Sequence, residues 1–359
     1  MIHRLLRKLS PIGLVVGPES ASAVQMVRSG QRWRLHAAAT LSRLQPGAGL
    51  SGDEAERLVS VLDRRGFEFG RVVASAPVGS CESAVLELPS RVSGAPVDQI
   101  ARGEMARTMR CDADAIEVGA WELPSGGKPG SGAGGPTGTM VVACRSAEAD
   151  ALVGAMAEAG SDVMAIDAPC LALARSCADW LAPAAVSAVL ELGPDSARAV
   201  VTYGYSVIYE RMLPEGSMGA LRKALAEQLK IEPEVARYLI AHHGLDGPAP
   251  EDATVGRRLD EARRTMSDRL GALVEEVRTS IAYSGARYPG AAAGRLLLVG
   301  EGAQTPGLAR LLRDGTGVEA RVVRPVDVVD VPDALNEAGR DASLMGALGL
   351  ALWREEEGA

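Results

Sequence analysis

The stretch LVVGPESASAV, Leu14–Val24, returns nearly unchanged as LELGPDSARAV, Leu190–Val200, with an offset of 176 residues (190 − 14) at every position. Each copy is an apolar strand end, a Gly-Pro-acid-Ser turn and a strand restart. A turn written twice in frame limits the chain more than any bulk property, because it asks for an internally duplicated fold. The surroundings repeat too. SAVQMVR, the turn Ser29-Gly30-Gln31 and RWRLHAAATL follow the first copy; ARAVVTY, a turn at Gly204 and SVIYERMLP follow the second. Both read as three-stranded meanders. After the second, the period becomes helical, with Met218, Leu221, Leu225 and Leu229 on one face. Two such units imply two lobes, which suits 359 residues, more than one core usually absorbs.

Backbone N–H groups in tight Gly/Ser turns make concave anion sites, so a pair of turns facing across a cleft would grip a polyphosphate from both sides. The candidates are Gly17, Ser20 and Ser22 in the first copy and Gly193 and Ser196 in the second. A third loop adds Gly300 and Gly302. In RLLLVGEGAQTPGLARLL a buried-strand run leads into Gly300-Glu301-Gly302, and Pro306-Gly307 opens a helix, an arrangement that brings backbone close to a nucleotide. The plainer alternative is a pair of ordinary hairpin turns and a tight helix start.

The remaining features mostly exclude. A net charge of −8 is ordinary for solubility and gives no footprint for nucleic acid. The five cysteines are odd in number, scattered and without a C-x-x-C pair, so buried thiols in a reducing compartment are expected. The longest apolar runs, LLLVG and LMGALGLALW, fall short of the ~20 residues that cross a bilayer. MIHRLLRKLS is basic and amphipathic but offers little area to a membrane. No G-x-S-x-G elbow supports a Ser/His/Asp hydrolase. His242-His243 point about 100° apart on a helix, lack further ligands at metal spacing, and suit a helix C-terminus before Gly244.

The order of these blocks resembles the PilM family, the actin-like cytoplasmic proteins of type IV pilus assembly. IGLVVGPESASAVQM resembles that family's opening phosphate loop, and ELPSRVSGAPVDQIARGEMARTM its Leu-Pro segment and following helix. VVACRSAEADALVGAMAEAGSDVMAIDAPCLALAR resembles the strand, helix and Asp-x-Pro return, here Asp167 to Pro169. LGALVEEVRTSIAYSGARYPG, RLLLVGEGAQTPGLARLL and SLMGALGLALW complete the series. The resemblance implies a duplicated, ribonuclease-H-like α/β fold with a small α+β domain inserted in the first lobe. Mapped here, residues 10–80 and 167–185 form the first lobe core and 81–166 the insert; 186–215 and 291–353 form the second lobe core and 216–290 its outer helical part. The stretch PSGGKPGSGAGGPTGT inside the insert is expected as a solvated loop. The helix from Ser267 has a core stripe of Leu270, Leu273, Val274, Val277 and Ile281. By resemblance it passes the adenine pocket, which adds Glu275 and Arg278 as candidates, against a solvated charged face.

The sequence also departs from the family. The family's metal-organising aspartate and phosphate-neutralising lysine in the first loop correspond to Val15 and Ser22, which do neither job. Pro18 and Pro194 each remove a backbone N–H, and Glu19, Asp195 and Glu301 add negative charge. In the second loop the aspartate is replaced by Glu191, the one candidate metal ligand, and Arg198 is a compensating cation or a solvent-facing strand residue. A like-charge contact at ~4 Å costs ~4 kcal/mol at an effective dielectric of about 20. A few of these cancel micromolar affinity, which is worth about 8 kcal/mol.

The expectation is therefore a pseudo-ATPase scaffold, with no firm cofactor and Mg-ATP as the open alternative. Its implied partner is the N-terminal cytoplasmic tail of a PilN-like bitopic membrane protein, with pilus motor or platform proteins as further partners. It would lie in the cytoplasm and reach the inner membrane through that partner, the tail lying in a groove bordered by residues 87–109. A working actin-like ATPase using Glu191 and a soluble GspL-like component of type II secretion are the alternatives. An FtsA-like filament protein is disfavoured, because WREEEGA is acidic where that family has a membrane helix.

Overall fold

A computed structural model of the protein describes residues 8–47, 49–68, 70–125, 136–248 and 253–355. The amphipathic MIHRLLR and most of the Gly/Pro-rich stretch lie outside these residues. The strands are β1 (Ile12–Val16), β2 (Ser20–Ser29), β3 (Arg32–Ser42), β4 (Val72–Ser75), β5 (Cys81–Pro89), β6 (Ile116–Glu122) and β7 (Pro136–Arg145). They continue as β8 (Val163–Asp167), β9 (Ala185–Leu192), β10 (Ala197–Tyr203), β11 (Ser206–Leu213), β12 (Ala292–Val299) and β13 (Ala320–Val322). The helices are α1 (Gly52–Arg64), α2 (Val97–Met109), α3 (Ser146–Glu158), α4 (Pro169–Ser176) and α5 (Met218–Leu229). After them come α6 (Pro233–Tyr238), α7 (Ala253–Gly285), α8 (Leu308–Thr316), α9 (Asn336–Arg340) and α10 (Met345–Ala351).

The chain divides into two compact units. Unit 1 comprises Met1–Asp179, Ser206–Tyr209 and Arg324–Ala359, and unit 2 comprises Trp180–Tyr205 and Glu210–Val323. Two five-stranded sheets have the same topology, β3-β2-β1-β4-β8 and β11-β10-β9-β12-β13. In each, an antiparallel meander precedes two strands added in parallel, β1 with β4 and β4 with β8, then β9 with β12 and β12 with β13. The duplicated fold expected from the twin turns is what forms.

Local chemistry accounts for the elements around the first turn. Ser51 caps α1 by accepting the Glu54 N–H, and Asp53 and Glu54 complement the positive end of the helix. Ala55, Leu58 and Leu62 recur at helical spacing and bury against Ile12, Leu14, Ala37 and Ala39 of the sheet. The helix α3 adds Leu152, Ala155 and Met156 to that same core, and β8 pairs with β4 through Ser75↔Asp167.

Those packings group several elements differently from the expected boundaries. The three-stranded sheet β5-β7-β6 has its own core with α2, where Ala101, Met105 and Met109 meet Leu88, Ile116, Val141 and Ala143. It ends at Arg145, and within the expected segment 81–166 the residues of α3 and β8 pack on the core of the first sheet. Likewise the chain from Arg324 onward was expected in the second lobe and lies in unit 1. Leu344, Ala347 and Leu348 pack on Val24, Met26 and Leu35. Helix α10 reaches β1 and α4 at backbone distance, since a Cβ at Gly13 would overlap the Ala347 carbonyl and one at Gly349 the Ala172 carbonyl. The end of the expected solvated loop is strand instead: Thr137, Gly138 and Thr139 belong to β7, opposite Leu88, Glu87 and Leu86.

Among the described residues no helix is long and apolar enough to cross a membrane. The expectation of buried thiols holds for two of the five. Cys170 and Cys177 are buried, whereas Cys81, Cys111 and Cys144 are partly exposed, and none of the five is in a disulfide.

Candidate functional site

The twin turns close in the same way. The Gly17 N–H donates to the Ser20 carbonyl at 2.8 Å, and the Gly193 N–H donates to the Ser196 carbonyl at 3.1 Å. One N–H is thus spent inside the turn in each copy, and the following proline has none. In the first copy the carbonyls are tied down as well. Arg43 donates from its guanidinium to Gly17 O at 3.1 Å and from its backbone to Glu19 O at 2.9 Å, while Gly47 N–H reaches Pro18 O at 3.0 Å.

The sequence offset is a structural equivalence. Val15 and Ser22 face each other across β1 and β2, and Glu191 and Arg198 face each other across β9 and β10. The first pair is uncharged. Val15 packs among Val24, Leu344 and Leu348, and the Ser22 hydroxyl lies 3.2 Å from that of Thr40. The second pair is charged and crowded. Arg198 approaches Glu191 at 3.4 Å and is paired on its other side with Glu210, its own side chain only 13% exposed. It therefore neither faces solvent nor stands ready for phosphate. Burial pushes the Glu191 carboxyl above its ordinary range, opposed by Arg198, and the nearby Glu210 raises it further. The third of its side chain that stays exposed limits that shift. The one candidate metal ligand is thus committed to a guanidinium, and among the described residues no group of three His, Cys, Asp or Glu could hold a metal ion.

Unit 2 brings the second turn, the third loop and a helix start together. Gly300 adopts φ +91°, and a Cβ there would sit 2.7–2.9 Å from the Leu192 backbone, so the loop lies directly on the end of β9. Gly302 rests on the Met218 side chain at the start of α5. A helix N-terminus normally offers unpaired N–H groups to an anion. Here Met218 N–H donates to Gly193 O at 2.9 Å, Gly219 N–H to Pro194 O at 2.7 Å, and Ala220 N–H to the Ser217 hydroxyl at 3.0 Å. Three orphan donors are satisfied by the turn and the cap.

Glu275 and Arg278 lie on α7 and bond each other at 2.6 Å as an exposed i,i+3 pair, the carboxylate raising the guanidinium's affinity for its proton. The His243 ring is 3.0 Å from Pro248 O, and His242 lies against the Tyr238 ring at 4.4 Å. Among the predicted site residues, then, Gly17, Ser20 and Ser22 share the hairpin of unit 1, and Glu191, Gly193, Ser196, Gly300 and Gly302 cluster in unit 2. Glu275 and Arg278 form a separate surface pair.

Sequence reasoning missed the strongest electrostatic feature near the first turn. Arg43 and Glu54 form a buried pair at 2.7 Å, with side chains 4% and 7% exposed. Hydrogen bonding from Arg43 holds the Glu54 carboxyl below its ordinary range, helped by the Leu44 N–H against the cost of burial. The pair lines a cavity of about 420 Å³ beside Thr40, Leu41, Leu50 and Leu58, none of it from residues 87–109. No periodicity marks it, since a strand end and a helix start meet only through the intervening loop. Glu210, too, lies outside the repeated motif.

No family model matches the chain, and no curated protein matches it by sequence. Solved structures do. The chain superposes on a structure described as the PilM-PilN type IV pilus biogenesis complex with a TM-score of 0.74 at 22% identity, covering 96% of this chain and 98% of that one. It is also similar to a glycerol dehydratase reactivase (TM-score 0.54, 10% identity, 96% and 99% covered). A third likeness is to MreB5 of Spiroplasma citri bound to ADP (0.52, 10%, 94% of each chain). At these identities the shared property is the fold, and the duplicated mixed sheets described above are that of the actin-like, PilM-type α/β architecture.

Proposed function

We propose that this chain is a PilM-like assembly scaffold that docks the N-terminal tail of a PilN-like membrane protein and does not hydrolyse ATP. The observation that carries the reading is the end-to-end likeness to a structure of a PilM–PilN complex, 0.74 in TM-score over 96% of the chain. The bonds already made by Gly17 N–H and Gly193 N–H in the turns and by the first three N–H groups of α5 support the second half of it, because those donors are not offered to a phosphate. In this reading the β5-β7-β6 sheet with α2 is an inserted domain, residues 87–109 border the docking groove, and the protein meets the inner membrane through its partner. Val92 stands 80% exposed in that segment, an apolar side chain with water to gain from shedding. In a titration of full-length protein with the tail peptide, Val92→Glu weakens binding several-fold at unchanged thermal stability. Equal affinity of wild type and variant would remove this segment from the interface, and no binding by wild type would remove the scaffold reading.

A second reading, a Mg-ATP-binding protein, rests on the retained Glu191 at the metal position. Mg-dependent ATP binding that disappears in Glu191→Ala would establish it.

A further inference from the structure

We infer that Cys81 and Cys144 form a redox-active dithiol that closes to a cross-strand disulfide at the neck of the β5-β7-β6 sheet. The two residues are direct partners across β5 and β7. The neighbouring pair is bonded, since Arg145 N–H donates to Ser80 O at 3.0 Å. Pairs alternate along an antiparallel ladder, so 81/144 is a non-hydrogen-bonded position, where Cα atoms stand ~4.5 Å apart and side chains are closest. That separation falls within the ~4.4–6.8 Å that disulfides span. The Ser80 hydroxyl lies 3.2 Å from Cys144 Sγ and 3.9 Å from Cys81 Sγ, which places both sulfurs around one oxygen.

Reactivity points the same way. Both thiols are partly exposed. The Cys144 thiol is lowered to about 7, chiefly by its hydrogen bond with Cys81 and also by Ser80, against burial and the charge of Glu148. Cys177, by contrast, is pushed up to about 12 by burial and is inert. Position supplies the consequence. The chain enters this sheet at Cys81, soon after β4, and leaves it at Arg145, directly before α3. A bond between Cys81 and Cys144 therefore ties the entering strand to the leaving strand and keeps the base of the sheet from opening.

The oxidant is a small disulfide of the glutathione class. Cys144 thiolate attacks one of its sulfurs, the S–S bond breaks and one thiolate leaves. The Cys81 sulfur, giving up its proton, then attacks Cys144 Sγ and displaces the second. Two protein thiols and one small disulfide become one protein disulfide and two small thiols, with both electrons passing to the oxidant and the two protons to the leaving thiolates.

Reduced full-length protein treated with oxidised glutathione at neutral pH tests this by intact mass and non-reducing peptide mapping. Free thiols fall from five to three, with a mass loss of about 2 Da and a linked Cys81–Cys144 peptide. Cys81→Ser stops at a glutathione adduct on Cys144, which forms roughly tenfold faster than one on Cys111. Hydrogen exchange at the 81 and 145 ends of β5 and β7 slows in the oxidised protein. A persistent adduct on wild type, a bond to Cys111, equal rates at Cys144 and Cys111, or unchanged exchange would each overturn the inference.

Discussion

Arg198 stands between two carboxylates, and removing it differs in kind from removing either of them. With Arg198→Met, Glu191 and the buried Glu210 face each other without a cation, a loss of about 3–5 kcal/mol in chemical denaturation. Glu191→Gln leaves Arg198 its better partner and is neutral or stabilising at pH 7. The sign follows from the raised carboxyl. Below the unfolded value of 4.5 both states hold the proton, and the penalty grows as pH rises through the higher folded value. The advantage of the Gln variant over wild type should therefore vanish toward pH 4. Glu54 works in the opposite direction. Its lowered carboxyl contributes stability that is complete above 4.5 and is lost as pH falls through its folded value. Melting temperature against pH for Glu54→Gln should lack that acid-side fall. Neither Glu210 nor Arg43 was legible in the sequence, because both act across strand or loop contacts that no local pattern encodes. Glu191 and Arg198 were legible as residues, and the second carboxylate that occupies the arginine was not.

At the scale of elements, what repeats or alternates was readable and what packs all round was not. The two meanders could be written from turn residues and strand patterns, and α5 and α7 from their apolar faces. Helix α10 is buried at every position from Met345 to Ala351, so it has no polar face to say which sheet it covers. Its partner is decided by Gly13 and Gly349, two small residues far apart in sequence that let backbones touch. Gly349→Ala therefore costs at least ~1–3 kcal/mol by overpacking, measurable as a shift in denaturant midpoint, whereas an alanine at the open Gly103 of α2 is neutral or better. The packing of helix α3 was illegible for a related reason. It directly follows β7 in the chain, and only the burial of Leu152 and Met156 against the first sheet separates it from the module before it.

For the whole molecule, the offset of 176 residues announced two like units, each with a three-stranded meander; the parallel strands that extend each meander to five in one topology were not legible in the repeat. In a fold that elsewhere carries ADP, as in MreB5, these hairpins here bond to themselves, to Arg43 and to the start of α5. On the function proposed above, the repeated turn is structural and does not hold phosphate. The most direct measurement is a titration of the full-length protein with a fluorescent ATP analogue, with and without magnesium. No saturable binding at millimolar nucleotide is expected in either case. Magnesium-dependent binding in the micromolar range would contradict it.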